Sequence, residues 1–348
     1  MTPDAKPVVA PSRATLRQVA ARAGVSVKTA SRALNGEPYV STKTLARVSA
    51  AAEDLGFRVN AVARDFRTGA RSPSVGLLIG DLANPFYARL ARGAERHLHA
   101  AGLRLVSAST EESAVTEREL VDEMLERRMT AIMIVTSADH HPYFESEQHL
   151  GTPIVFVDRA PSDVVADAVV LDNAGGMAAA VEHLVSFGHE RIGILSHARR
   201  VSTSRERVEA FESAMAQAGL DGRRYARTDC DDTASATKAA TELLTRAVPP
   251  TALIATNNRL TIGALKALRP GNLDAAFIGF DDFELSDLLG TSVIAHDPEV
   301  MGAAAAEFVI DRLEGDTSPA RKLVLPTTLI ARLSSMIGPL QRSSPRSR

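Results

Sequence analysis

A single cysteine, Cys230, and no tryptophan stand among the 348 residues of the chain. One thiol excludes an intramolecular disulfide framework and any zinc site built from several cysteines. No apolar run is long enough to span a bilayer, which takes about 20 apolar residues in succession. The opening MTPDAKPVVAPSR holds proline and charge but no hydrophobic signal core. The chain is therefore expected in the cytoplasm, with residues 1–12 as a disordered arm. Also missing are G-x-G-x-x-G after a strand, G-x-x-x-x-G-K-[ST], H-E-x-x-H and G-x-S-x-G, the common signatures of nucleotide-dependent and hydrolytic enzymes. Nine histidines are present without metal-ligand spacing. His140 and His141 fall in a loop, so solvated histidines are expected, and neither a metal nor a cofactor. Large net charge is lacking too: 40 Lys and Arg stand against 42 Asp and Glu, a formal charge of -2. Any affinity for nucleic acid must come from a concentrated patch.

Such a patch exists. Between Arg13 and Arg71 there are eleven basic residues and four acidic ones, Glu37, Glu53, Asp54 and Asp65. Within it, Leu16, Val19, Ala20 and Ala23 recur at i, i+3, i+4 and i+7, which predicts an amphipathic helix. Gly24 supplies a permissive turn, and Ser26 is placed as the N-cap of a second helix with Ala30, Ala33 and Leu34 on one face. The opposite face carries Val27, Lys28, Ser31 and Arg32, a set suited to base edges in a DNA groove. Arg22 and Arg47 are expected to serve affinity rather than base choice. A third helix, capped by Ser41 and ended by Gly56, offers Leu45, Val48, Ala52 and Leu55 to close a small three-helix core. A solvated charged hairpin is the plainer alternative for such a helix pair.

The unbroken stretch TLRQVAARAGVSVKTASRALN decides between them. It resembles the helix-turn-helix headpiece of the lactose-repressor family, departing only at Ala30, where Val is usual. The resemblance implies DNA contacts from Thr15, Ser26, Val27, Lys28, Thr29, Ser31, Arg32 and Asn35, in a headpiece spanning 13–58. It also implies a hinge helix within 59–73 that folds on operator DNA. There Asn60, Val62 and Ala63 contribute, Val62 packs against its dimer mate, and Phe66 enters the minor groove where Leu is usual.

Beyond TGARSPS, short apolar runs alternate with helical stretches. Val75–Ile79, Leu103–Ala108, Ala131–Val135 and Ile154–Val157 form a first strand set. Val169–Leu171, Ile192–Leu195, Ala252–Ala255 and Ala276–Ile278 form a second. Continuous apolar strands separated by helices indicate parallel sheets covered on both faces. The expected fold is α/β: an all-helical headpiece followed by two tandem Rossmann-like subdomains with a ligand cleft at the carboxyl ends of their strands. This region resembles the periplasmic sugar-binding-protein fold that the same family uses for effector binding and dimerisation. The resemblance implies a domain over 74–338 with three crossings, dividing into 74–168 plus 298–318 and 169–297 plus 319–338. The helix Pro298–Leu313 is expected in the first subdomain and the strand Lys322–Leu325 in the second. Residues 339–348 are expected as a disordered tail without the apolar heptads of a tetramerising helix.

For the cleft, the resemblance implies Asn84, Phe86 and Tyr87 from DLANPFYARL, an amide for a hydroxyl and two rings to stack on a sugar face. Asp158 and Arg159 end VFVDR, where an acid and a guanidinium take adjacent hydroxyls. Arg207, Asn257 and Asp281 match further polar contacts, and His296 lies where sugar binders often have Gln. Asn258 replaces a common Asp. Val201 stands where purine-responsive members carry Arg, which weakens a nucleobase reading. The expected protein is a dimeric transcriptional regulator and repressor that binds a pseudo-palindromic operator and a monosaccharide, and is not an enzyme or membrane protein. The alternatives are a regulator answering a nucleoside, purine or phosphorylated metabolite, and a stand-alone sugar receptor.

Overall fold

The computed structural model describes residues 14–58, 72–142, 144, 150–198, 200–268 and 275–339. The expected arm, the hinge residues Asn60, Val62, Ala63 and Phe66, and all but Pro339 of the expected tail lie outside the described residues. Two compact units divide the chain, Met1–Ser72 and Pro73–Arg348.

In the first unit, α1 (Leu16–Ala23) opens with a capping box in which the Thr15 side chain accepts from the Gln18 amide and Gln18 reaches back to the Thr15 amide. It ends on Gly24 at φ 61°, where a side chain is strained. Helix α2 (Val27–Leu34) starts from Ser26, whose hydroxyl accepts from the Thr29 amide at 3.0 Å, and α3 (Thr42–Asp54) starts from Ser41. The core is small: Val19, Ala20, Ala23, Ala30, Ala33, Val48, Ala51 and Ala52 are buried. Leu45 and Leu55, expected in this core, are exposed. Ala51 takes their place, because short side chains let three short helices approach closely.

The second unit holds two six-stranded sheets. The first contains β1 (Ser72–Ile79), β2 (Arg104–Ser109), β3 (Met129–Ile134), β4 (Ile154–Asp158), β5 (Asp167–Leu171) and β11 (Lys322–Leu325), in the order β11-β5-β4-β3-β1-β2. The second contains β6 (Ile192–Leu195), β7 (Ala226–Arg227), β8 (Ala252–Ala255), β9 (Ala276–Phe280), β10 (Ser292–Ala295) and β12 (Thr328–Ile330), in the matching order β12-β10-β9-β8-β6-β7. Strands β3, β4 and β5 are buried along their whole length, as strands covered on both faces must be. The covering helices are α4 (Pro85–Ala100), α5 (Ala114–Glu126), α6 (Asn173–Ser186), α7 (Ser202–Gln217), α8 (Thr233–Leu244), α9 (Asn258–Leu268) and α10 (Pro298–Leu313).

Two expectations are corrected by strand pairing. Val169–Leu171 does not open the second sheet: β5 runs parallel to β4, with Phe156 opposite Ala168. Lys322–Leu325 does not join the second sheet either, since β11 pairs with β5, with Leu323 opposite Val169. The chain still crosses three times, after β5, after β10 and after β11, so the expected boundaries at 168/169 and 318/319 move to later positions. The strands β7, β10 and β12 were not anticipated; β7 and β12 hold only two and three residues, too few to carry periodicity. Helix α10 does return to the first lobe, packing on α4 so tightly that a Cβ on Gly93 would lie 2.0 Å from the Glu299 carbonyl oxygen.

Candidate functional site

The headpiece presents its candidate DNA face on α2. Val27 is 45% exposed, and with Leu16, Lys28, Ser31, Arg32 and Glu37 it lines a shallow groove. Arg32 is already engaged: its Nε lies 3.3 Å from Glu37 and its Nη2 donates to the Pro38 carbonyl at 3.0 Å. This half-exposed pair is worth little in water, so Arg32 can be drawn to another partner at small cost. Ser26 and Thr29 are occupied with capping, their hydroxyls 2.8 Å apart, and Asn35 donates to Ser31 at 3.3 Å. Thr15 is likewise held in its capping box. Arg47 departs from expectation, because its guanidinium donates to the Ala23 and Gly24 carbonyls and closes the carboxyl end of α1. Arg22 pairs with Asp54 at 3.3 Å, both exposed. Tyr39 was missed in the sequence. It is 95% exposed at φ 72°, a conformation costly for a bulky side chain, and follows Pro38, whose carbonyl accepts from Arg32.

The second site is the cleft between the two sheets. It is lined by residues from both lobes, and eight of the nine expected residues are among them: Asn84, Phe86, Tyr87, Asp158, Arg159, Arg207, Asn257 and Asp281. Their placement follows from the fold. Asn84 caps α4, its Oδ1 accepting from the Phe86 amide at 3.0 Å, which sets Phe86 and Tyr87 on the first turn with rings 5.0 Å apart, edge to face. Asp158 ends β4 and Asp281 follows β9, equivalent points in the two sheets, and both have positive φ, 65° and 69°. Left-handed backbone at two aspartates is strain of the kind that functional sites keep.

The electrostatics are those of a dry site. Burial pushes the carboxyls of Asp158 and Asp281 up, while Arg207 pulls each of them down. Arg207 is buried and its own value is lowered by that burial. Its Nε donates to Asn173 at 2.7 Å, its Nη1 to the Thr256 carbonyl at 2.6 Å, and its guanidinium stacks 3.6 Å over the Phe280 ring. Asn257 caps the start of α9, accepting from the Leu260 amide at 2.9 Å. Such groups are preorganised donors and acceptors for a polyhydroxylated molecule held against two rings.

His296 differs from the other eight. It is buried behind the cleft wall, its ring 5.5 Å from Phe86 and its Nδ1 3.8 Å from Asp281, and both ring nitrogens lack partners. Burial, with Arg207 nearby, lowers its pKa to about 4. The expectation of solvated histidines is also corrected at His141 and His189, each 1% exposed. His141 bonds to Asp163 at 2.7 Å and Thr136 at 2.6 Å. His189 bonds to the Ile337 carbonyl at 2.8 Å. Apolar strands reveal nothing in sequence about which loop histidine they cover.

Further contacts were not read from the sequence. Glu112 meets Arg159 in a bidentate pair at 2.6 and 2.8 Å. Asp81 pairs with Arg259 across the cleft mouth, and Asn258 donates to Asn84 at 2.6 Å across the same gap. Asn258, noted as a departure, thus joins the lobes, and its backbone amide donates to Asp281 at 3.2 Å. His197 lies 3.4 Å from Asp231, with its pKa lowered by burial.

Comparison with known proteins matches both regions of the chain. Residues 15–60 match the bacterial regulatory proteins of the lacI family. Residues 72–330 match the family described as periplasmic binding proteins and sugar binding domain of the LacI family. The ribose operon repressor of Escherichia coli (strain K12) is 30% identical over 332 residues, covering 92% of this chain and all of that one. The HTH-type transcriptional regulator MalR of Streptomyces coelicolor is 32% identical over 349 residues, covering 95% and 99%. Among solved structures, the lac repressor dimer bound to operator and the anti-inducer ONPF shares the fold at 23% identity, with a TM-score of 0.79 over 94% of this chain and all of that one. A helix-turn-helix headpiece followed by a two-lobed ligand-binding domain defines a DNA-binding transcriptional regulator. This chain belongs to the lacI family. Among the described residues, no helix is long and apolar enough to cross a membrane.

Proposed function

We propose that this regulator acts as a cytoplasmic homodimeric repressor of a pseudo-palindromic operator, that it catalyses no reaction, and that its effector is a neutral monosaccharide of the ribose type. The observation that carries the reading is the convergence of Asn84, Phe86, Tyr87, Asp158, Arg159, Arg207, Asn257 and Asp281 on one cleft. Two rings offer a stacking face, and paired acids and guanidiniums suit vicinal hydroxyls. The resemblance to a ribose operon repressor over its full length supports the same sugar class. Val201, lining the cleft where an arginine would favour a nucleobase, supports it further.

In this reading Val27, Lys28, Ser31 and Arg32 read bases, Thr15, Ser26, Thr29 and Asn35 shape and flank that face, and Asn60, Val62, Ala63 and Phe66 act in the hinge. A ligand touching both lobes favours one angle between them. It changes operator affinity by its differential affinity for the two arrangements and by no more. The test is calorimetric titration of a pentose and hexose panel into the protein, with and without operator duplex. One neutral sugar is expected to bind and to shift operator affinity. Binding of a purine in place of every sugar sinks the effector assignment, and loss of salt-sensitive duplex binding sinks the regulator assignment.

A further inference from the structure

We propose that Glu112 determines which effectors the cleft admits, by neutralising Arg159 so that neutral polyols enter and anionic sugars, phosphorylated or carboxylated, are turned away. This rests on the monosaccharide reading above and deepens it. An arginine in a sugar cleft is by itself a phosphate trap, because its planar fork matches phosphate and carboxylate oxygens two at a time. Here that fork is taken. Nη1 and Nη2 of Arg159 grip the two Glu112 oxygens at 2.6 and 2.8 Å, Nη1 also donates to the Thr136 carbonyl at 2.9 Å, and Nη2 faces the Tyr87 hydroxyl at 3.4 Å. Nε is buried without a hydrogen-bond partner and lies 3.9 Å from the Asp158 carboxylate. That leaves no Arg159 donor to hold an anion.

Among the described residues that line the cleft, the other two guanidiniums also stand against carboxylates. Five carboxylates, those of Asp81, Glu112, Asp158, Asp231 and Asp281, line it against the guanidiniums of Arg159, Arg207 and Arg259. Even with Asp158 and Asp281 protonated, the balance does not turn positive. Arg259 is held by Asp81, and Arg207 is flanked by Asp281 and Asp158. Among the described lining residues, Glu112 is the carboxylate that occupies both Nη atoms of one guanidinium.

The placement of Glu112 is built into the backbone. Glu111 and Glu112 both adopt positive φ, 52° and 55°, in the loop after β2, a conformation unfavourable for side chains of this size. The Glu112 amide donates to the Gly80 carbonyl at 3.1 Å, and a Cβ on Gly80 would lie 2.2 Å from the Glu112 carboxylate. Only glycine at 80 leaves room for the acid at the mouth of β1. Although burial pushes its carboxyl up, the Arg159 guanidinium pulls it down further, so Glu112 is charged at neutral pH.

Thermal-shift and calorimetric titrations of the full chain test this, using D-ribose, D-ribose 5-phosphate and inorganic phosphate as probes. The wild-type protein, Glu112→Gln and Glu112→Ala are compared. Wild type is expected to bind ribose 5-phosphate weaker than ribose by roughly 100-fold or more, since like charges meeting in a closed site are costly. Glu112→Gln, close to isosteric, is expected to narrow that ratio by about tenfold or more and to gain stabilisation by inorganic phosphate. Wild type binding the phosphorylated sugar as tightly as the neutral one overturns the proposal without reference to any variant. So does a Glu112→Gln or Glu112→Ala protein that unfolds cooperatively yet gains nothing from phosphate or ribose 5-phosphate. If no neutral sugar binds wild type, the monosaccharide reading fails alone, and the phosphate arm still decides the role of Glu112.

Discussion

In the headpiece the side chains proposed to read DNA are solvated, with Val27 at 45% and the Arg32 side chain at 37% exposure, whereas in the cleft Asp158, Arg159 and Arg207 are exposed by 7, 6 and 6%. The two regions meet different partners. A duplex is a large polyanion, so its reader can keep charges in water and gain affinity from counterion release on contact. A small neutral molecule supplies no such field. Its site must hold charges in place beforehand, each paired and largely removed from solvent, and the ligand slots into bonds already aimed. Headpiece charges should therefore be removable at little cost in stability, and cleft charges only at a larger one.

The largest expected break is Arg207→Ala. It leaves Asp158 and Asp281 without their shared cation and Asn173 and the Thr256 carbonyl without a donor. Removing one partner from a buried ionic network costs about 3–5 kcal/mol. The α/β domain should lose that much in denaturant unfolding and lose effector binding, while operator binding at low temperature persists. A loss under about 1 kcal/mol would show Arg207 to be as dispensable as a surface charge.

The next effect is in pH. The pKa of His296 is about 4 in the folded protein against an ordinary 6.5, so below 6.5 the unfolded chain takes up a proton that the folded one refuses. This contribution is nil above pH 6.5 and destabilises progressively down to about 4, by up to about 3 kcal/mol. Unfolding free energies of wild type and His296→Gln, compared between pH 7 and 4, should diverge in that direction. Parallel curves would mean that His296 titrates as a solvated residue.

Arg32→Ala moves the comparison to the headpiece. It should cost about 1–3 kcal/mol of discrimination among operator variants, read from a binding array, with thermal stability close to wild type. An unchanged ranking of operators would remove Arg32 from the reading face. The smallest effect is expected for Arg47→Ala, which removes the donor from the end of α1. About 0.5–1.5 kcal/mol of headpiece stability should go, with operator ranking unchanged. A drop of about 1 in the salt slope would show instead that Arg47 leaves these carbonyls for a phosphate.

The sequence by itself determined the headpiece helices, the caps at Ser26 and Ser41, and eight of the residues that line the cleft. The reason is local. Thr15 and Gln18, Ser26 and Thr29, and the apolar stripe through Val19, Ala20 and Ala23 all interact within three or four residues, where spacing is structure. Asn84, Asp158, Arg207, Asn257 and Asp281 were legible because each sits in a strand-end or helix-start motif that the family resemblance identifies. Tertiary structure alone decided the rest. Which sheet takes β5 and β11 depends on pairing between residues far apart in the chain, and a short apolar run fits either sheet equally well. Glu112 reaches Arg159 across 47 positions, and Asp81 reaches Arg259 across 178. An exposed acid and a buried, paired one look the same in a sequence. Only the fold removes water from around them, and with it the indifference of a charge to what stands opposite.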